Sequence, residues 1–185
     1  MTGSLHSFTG LQFARLDAWE ADFCLRCNRL ARIPAVRRYF SVVSRLGDGI
    51  AWYAMLAVLP IAIGMSALRP SLHMALTAFA GVCVYKLIKG LLNRERPFAS
   101  HAAVKALLPP LDRYSFPSGH TLHAVIFTCM LWHYYPALLV VALPFALSVA
   151  LSRVMLGLHY PTDVMAGAAV GALLAWSSLA MGPSF

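Results

Sequence analysis

Lys89 and Arg96 stand seven residues apart, a spacing that brings two side chains back to one face of a helix after two turns. Two cations on one face attract an anion. A guanidinium offers phosphate oxygens a planar fork, and an ammonium offers a point charge. Loop charge of the kind that gathers beside membrane spans is the plainer alternative. A second cluster, Pro117-Ser118-Gly119-His120, opens a stretch from Tyr114 through Ser152 without Lys, Arg, Asp or Glu. Gly119 lets the backbone approach a ligand closely, and the first turn of a following helix presents free N–H groups and a positive dipole end. Ser118 adds a hydroxyl and His120 a titratable imidazole, which makes an anion cradle with an acid–base group beside it; a capping or interfacial histidine is the alternative. The third cluster is Ser152-Arg153, then His159, then Asp163 four residues further on. That spacing lets a carboxylate orient an imidazole and stabilise its cation, the relation of a base to its orienting group. A helix-start carboxylate and an interfacial arginine are the plainer readings. His123 follows His120 by three, but no carboxylate or cysteine joins them locally, so packing is expected there and a metal is not.

Something must hold these ionisable groups at membrane depth, where they are costly and therefore candidates for function. The chain has 185 residues, 59% hydrophobic and 12% charged, with a formal net charge of +8. Soluble domains carry roughly 25% charged residues, so the composition points to a polytopic membrane protein. A basic excess there suits cytoplasmic loops, anionic headgroups or an anionic substrate. Nucleic-acid binding is excluded, because the charges are not gathered on one soluble face. Apolar stretches over 50–68, 72–92, 120–132, 137–152 and 164–181 predict about five transmembrane helices in an all-α bundle. Gly167 and Gly171 in the last should let helices approach closely. The segment 1–48 mixes Leu11, Phe13, Leu16, Trp19 and Phe23 with many arginines and reads as amphipathic, interfacial helix broken near Pro34, followed by a transmembrane domain over 49–185. Arg15, Asp17, Glu20 and Asp22 argue against a cleavable signal peptide. Cys24 and Cys27 read as ordinary thiols.

Taken in order, K-x6-R-P over Lys89–Pro97, P-S-G-H over Pro117–His120 and S-R-x5-H-x3-D over Ser152–Asp163 resemble the three-part signature of the type 2 phosphatidic acid phosphatase family. Bacterial acid phosphatases and vanadium haloperoxidases share that signature, and the spans here match its membrane-bound lipid phosphatase branch. The resemblance implies a phosphatase or diphosphatase of a lipid, with undecaprenyl pyrophosphate and phosphatidylglycerophosphate or phosphatidic acid as leading substrates. A lipid A phosphatase, or an anion-binding membrane protein without catalysis, is the alternative. It implies that His159 attacks phosphorus and becomes a phosphohistidine, Asp163 orients it, and His120 is the proton donor and acceptor. It also implies that Lys89, Arg96, Ser118, Gly119 and Arg153 bind the phosphate. No metal or other cofactor is expected, since fixed cations can stabilise the charge of phosphoryl transfer. The partners expected are the lipid phosphate or pyrophosphate and the membrane's own lipids. Counting the arginines over 15–45 would put the site on the cytoplasmic side; the resemblance implies the periplasmic face of a bacterial inner membrane.

Overall fold

Prolines and glycines divide the chain into its helices. The computed structural model describes residues 18–182, and among the described residues the secondary structure is all helical. Leu11, Phe13, Arg15, Leu16 and Asp17 lie outside the described residues. The first described helix, α1, covers 18–30. Pro34 then opens α2 (Pro34–Arg45), where its missing N–H goes unneeded. The break expected near Pro34 is therefore present. A kink over Leu46–Ile50 follows, with Asp48 off helical geometry and Gly49 at φ 122°, a left-handed value that favours glycine. It leads directly into α3 (Ala51–Ile63).

The next turn differs from expectation. The apolar stretch over 50–68 runs up to Arg69-Pro70, which reads as its stop, but the connection is Gly64–Ala67, with Gly64 at φ 101°. Pro70 instead lies in the first turn of α4 (Leu68–Leu92), the one place in a helix where proline removes no hydrogen bond. Asn93 ends α4 in the left-handed region, and a single turn, α5 (Pro97–Ser100), starts the polar connection. Then come α6 (Gly119–Tyr134), α7 (Leu139–Met155) and α8 (Pro161–Met181). Arg153 belongs to the last turn of α7, not to the link beyond it.

Among the described residues, four helical stretches are long and apolar enough to cross a membrane: Pro34–Ile63, Met65–Ser100, Pro136–Met155 and Pro161–Met181. α6 has 16 residues, fewer than the roughly 20 needed to span unaided. It lies among the others, packed by α8, α7 and α4, and its Leu122, Ala124, Ile126, Phe127, Met130 and Leu131 are buried. The five bundle helices are thus four spanning lengths around a short central one. Trp52 of α3 stacks on Phe127 of α6 with centroids 4.9 Å apart and donates Nε1–H to the carbonyl of Gly47 at 3.2 Å. That pair ties the kink to the central helix.

The α6–α8 contact is the tightest. A Cβ on Gly167 would sit 2.4 Å from the carbonyl oxygen of Ser118, and one on Gly171 would sit 2.5 Å from that of Leu122. Both obstacles are backbone, which cannot swing aside. Gly167→Ala is therefore expected to lower the melting temperature in detergent through an overpacking cost of about 1–3 kcal/mol. Because the clash falls on Ser118, activity should fall as well. A variant as stable and active as the parent would show that α8 is free to shift.

Candidate active site

The helices alternate in direction, so α4 and α7 end where α3, α6 and α8 begin. Lys89, Arg96, Arg153, Gly119, His120 and His159 accordingly line one cavity of about 330 Å³, although they are far apart in sequence. Its other wall is apolar and includes Trp52, Leu56, Ala78 and Phe79 of α3 and α4. Lys89, Arg96, Arg153, His120 and His159 are each at most 9% exposed.

Arg96 is the hinge of the cation cluster. Its guanidinium donates to the carbonyl of Leu158 at 2.7 Å and lies 3.2 Å from Nε2 of His159. It also donates to the Asp112 carboxylate at 2.7 Å, and Lys89 Nζ reaches the same carboxylate at 2.8 and 3.0 Å. Burial pushes the Asp112 carboxyl up, but hydrogen bonds and charge from Lys89 and Arg96 outweigh it and hold the group below the usual carboxylate range. Asp112 therefore occupies the fork that a phosphate would use. Arg153 donates to the hydroxyl of Ser44 in α2, while its Nε has no hydrogen-bond partner among the described residues. A buried, partly unpartnered guanidinium on a cavity wall is a ready donor for an oxyanion.

His159 sits in the short link before α8. Burial, then the cations of Arg153, Arg96 and Lys89, hold its imidazole well below its ordinary range. A neutral ring keeps a lone pair available on Nε2, the nitrogen beside Arg96. Nδ1 lies 3.5 Å from Asp163 Oδ2 and has no hydrogen bond among the described residues. Such contacts are often long in the absence of substrate. Asp163 is fully buried, at the third position of α8, and accepts the backbone N–H of Tyr160 at 2.8 Å and Arg94 Nη1 at 2.8 Å. Arg94 also reaches Glu20 of α1 at 2.7 Å and lies over the Tyr160 ring at 4.0 Å from its centroid. Glu20 in turn accepts the Thr162 N–H at 2.8 Å. A buried chain Glu20–Arg94–Asp163 thus stands behind His159.

The signature residues converge with one qualification. Ser118 is the N-cap of α6: its Oγ lies 3.0 Å from Thr121 Oγ1, and its N–H donates to the Asp163 carbonyl at 3.0 Å. It shapes the turn that presents Gly119 and is not on the cavity wall. His123 has both ring nitrogens near backbone carbonyls, Gly119 at 2.8 Å and Ala78 at 3.2 Å, so it is engaged in packing α6 on α4. No cluster of three or more His, Cys, Asp or Glu suited to a metal occurs among the described residues. Cys24 lies beneath the site, 3.7 Å from the His159 carbonyl, and burial with the Glu20 charge pushes its thiol up to about 12. It stays protonated and acts as a packing residue. Sequence reasoning gave no role to Asp112, Arg94, Glu20 or Asp48, which contact Lys89 and Arg96, Asp163, Arg94, and His120 respectively.

A helical membrane bundle whose helix ends close on a triply cationic cavity, with a carboxylate-backed imidazole inside it, defines the class of membrane-embedded phosphatases. The model of the PAP2 superfamily matches residues 70–184, and the chain belongs to that family. It is 36% identical over 142 residues to the decaprenylphosphoryl-5-phosphoribose phosphatase of Mycolicibacterium smegmatis, covering 75% of this chain and 74% of that protein. It is 32% identical over 108 residues to the undecaprenyl-diphosphatase BcrC of Bacillus subtilis, covering 56% of this chain and 53% of BcrC. The crystal structure of a transmembrane PAP2-type phosphatidylglycerolphosphate phosphatase from Bacillus subtilis superposes with a TM-score of 0.75 over 90% of this chain and 86% of that one. At 22% identity it shares the fold.

Proposed function

We propose that the protein hydrolyses a phosphomonoester or pyrophosphate of a lipid, with polyprenyl phosphates and diphosphates first among the substrates, through a phosphohistidine on His159. The observation that carries this reading is the position of His159 Nε2 in a cavity walled by Lys89, Arg96 and Arg153 on one side and by apolar residues of α3 and α4 on the other. A lipid phosphate has that division, with its reacting group at the headgroup level and its chain in hydrocarbon.

In the first step the Nε2 lone pair bonds to phosphorus and the bond to the leaving oxygen breaks. His120 gives that oxygen its proton. Lys89, Arg96, Arg153 and the Gly119 N–H hold the three equatorial oxygens, and Asp163 stabilises the charge that forms on the ring. In the second step His120 takes a proton from water, the water oxygen bonds to phosphorus, and the P–N bond returns its electrons to His159. The phosphate must first displace Asp112 from Lys89 and Arg96. Its larger charge and its additional contact with Arg153 favour that exchange.

The reading puts the reaction on the periplasmic face of a bacterial inner membrane, as the family resemblance implies, with α1 on the same side because Glu20 reaches Arg94. Phosphate release by the detergent-purified protein across polyprenyl diphosphates, phosphatidylglycerophosphate, phosphatidic acid and lipid A is the test. Release should survive EDTA, because three fixed cations supply the charge stabilisation. Orthovanadate should inhibit it, because vanadate takes up the five-coordinate geometry of phosphorus in transfer. Release that EDTA abolishes, or that vanadate leaves untouched, would count against this site.

A further inference from the structure

His120 has a partner that comes from outside the matched family region. The kink between α2 and α3 brings Asp48 Oδ1 to 3.4 Å from His120 Nε2. The kink is shaped for this approach. Gly49 takes the left-handed φ of 122°, and a Cβ on Gly47 would meet Val149 Cγ2 at 2.6 Å. Trp52, which is buried, holds the Gly47 carbonyl. From the other directions His120 meets positive or neutral groups: Arg153 of α7, Arg96 and His159 from the connections, and His123 one turn along α6. Tyr85 and Lys89 of α4 line the same cavity, as does Asp112, whose charge is taken up by Lys89 and Arg96, and Asp163 lies behind His159. A buried imidazole among three cations resists taking a proton, yet the proposed reaction needs it to arrive protonated.

We propose that Asp48 is a positioning residue that holds the proton on His120 Nε2 and so charges the general acid before the lipid phosphate binds. The proposal rests on the mechanism given above. Asp48 neither takes nor gives a proton in it. As the P–O bond lengthens, the Nε2 proton passes from the imidazolium to the leaving oxygen, and Asp48 remains a carboxylate throughout. Its side chain is 42% exposed and lines the same cavity as His120.

Asp48→Asn preserves the shape and removes the charge, and two substrates separate its effects. Short-chain phosphatidic acid leaves as an alkoxide that needs a proton, whereas p-nitrophenyl phosphate leaves as a phenolate that hardly needs one. The variant should lose at least about tenfold more kcat on phosphatidic acid than on p-nitrophenyl phosphate, within the 10²–10⁴ that a general acid contributes. The limb of the pH profile that requires protonated His120 should also move to lower pH, because without the carboxylate the imidazolium forms only in more acid solution. Asp48→Glu should restore most of both. Equal losses on the two substrates with an unmoved pH profile would overturn the role of Asp48 alone. Turnover of either substrate by His159→Ala would overturn the mechanism beneath it.

Discussion

His159→Ala is expected to stop phosphate release from every lipid phosphate the protein accepts, a loss of about 10⁴-fold or more, the scale on which a nucleophile's removal is felt. The reasoning is that, of the imidazoles lining the cavity, His159 has its Nε2 among the cations, while the Asp112 carboxylate is held by Lys89 and Arg96. His120 points Nε2 at Asp48, and His123 has both nitrogens against carbonyls. The cysteines are not cavity residues. Alanine also removes a buried ring beside Arg96, so the loss needs a control for folding. His159→Asn keeps a polar group of similar reach, and its melting in detergent should stay near that of the parent while it remains inactive. A rapid-quench experiment with labelled substrate adds a positive sign: the parent should carry a phosphoryl group that acid removes and alkali spares, as a P–N bond requires. Turnover by either variant would place the nucleophile elsewhere.

The parts of the site that were legible in the sequence share a property. Lys89, Arg96, Arg153, His120, His159 and Asp163 are ionisable groups at the ends of apolar segments, where nothing about span packing asks for them. Their convergence follows from alternating helix direction alone, since short turns at Gly64–Ala67 and Pro136–Leu138 return each helix to the same end. The groups that escaped reading are mostly acids. An anion site offers no obvious use for Asp112, Asp48 or Glu20, and each sits in a segment that reads as loop or amphipathic helix. Their signal was scarcity. The chain has only seven acidic residues, and Glu20, Asp48, Asp112 and Asp163 all contact residues of the site. Where net charge is +8 and burial is costly, an acid that is retained marks a cation or an imidazole that needs one. Helix ends were less legible than helix centres. Arg69-Pro70 looked like a stop because proline so often follows a helix, but proline is equally at home in the first turn, and only Gly64 with its positive φ shows where the chain reverses. The 16-residue α6 was legible as apolar; its central position was not, because that depends on Gly167 and Gly171 of a helix much later in the chain.

Asp163→Asn should reduce kcat by about 10³–10⁴-fold while leaving the helices in place, the loss that follows when a carboxylate behind a catalytic imidazole becomes an amide. Asp163 faces several donors, the Ser115 hydroxyl among them. Tyr160 N–H and Arg94 Nη1 occupy its two oxygens at 2.8 Å, and His159 Nδ1 lies 3.5 Å from Oδ2. An amide has one oxygen to offer. Whichever way it turns, its NH₂ confronts a donor: the Tyr160 N–H and the His159 ring on one side, or the Arg94 guanidinium on the other. With the NH₂ toward His159, the ring is driven to carry its proton on Nε2, which removes the lone pair from the nitrogen that faces the cavity. With it toward Arg94, the ring keeps its tautomer but loses the negative charge that stabilises the cation formed as nitrogen bonds to phosphorus. Both outcomes act on the chemical step, so kcat should fall far more than apparent affinity, and vanadate should still bind through Lys89, Arg96 and Arg153. Equal losses in kcat and in vanadate affinity would instead mean that Asp163, through Arg94 and Glu20, holds the whole cavity open and not one ring in its tautomer.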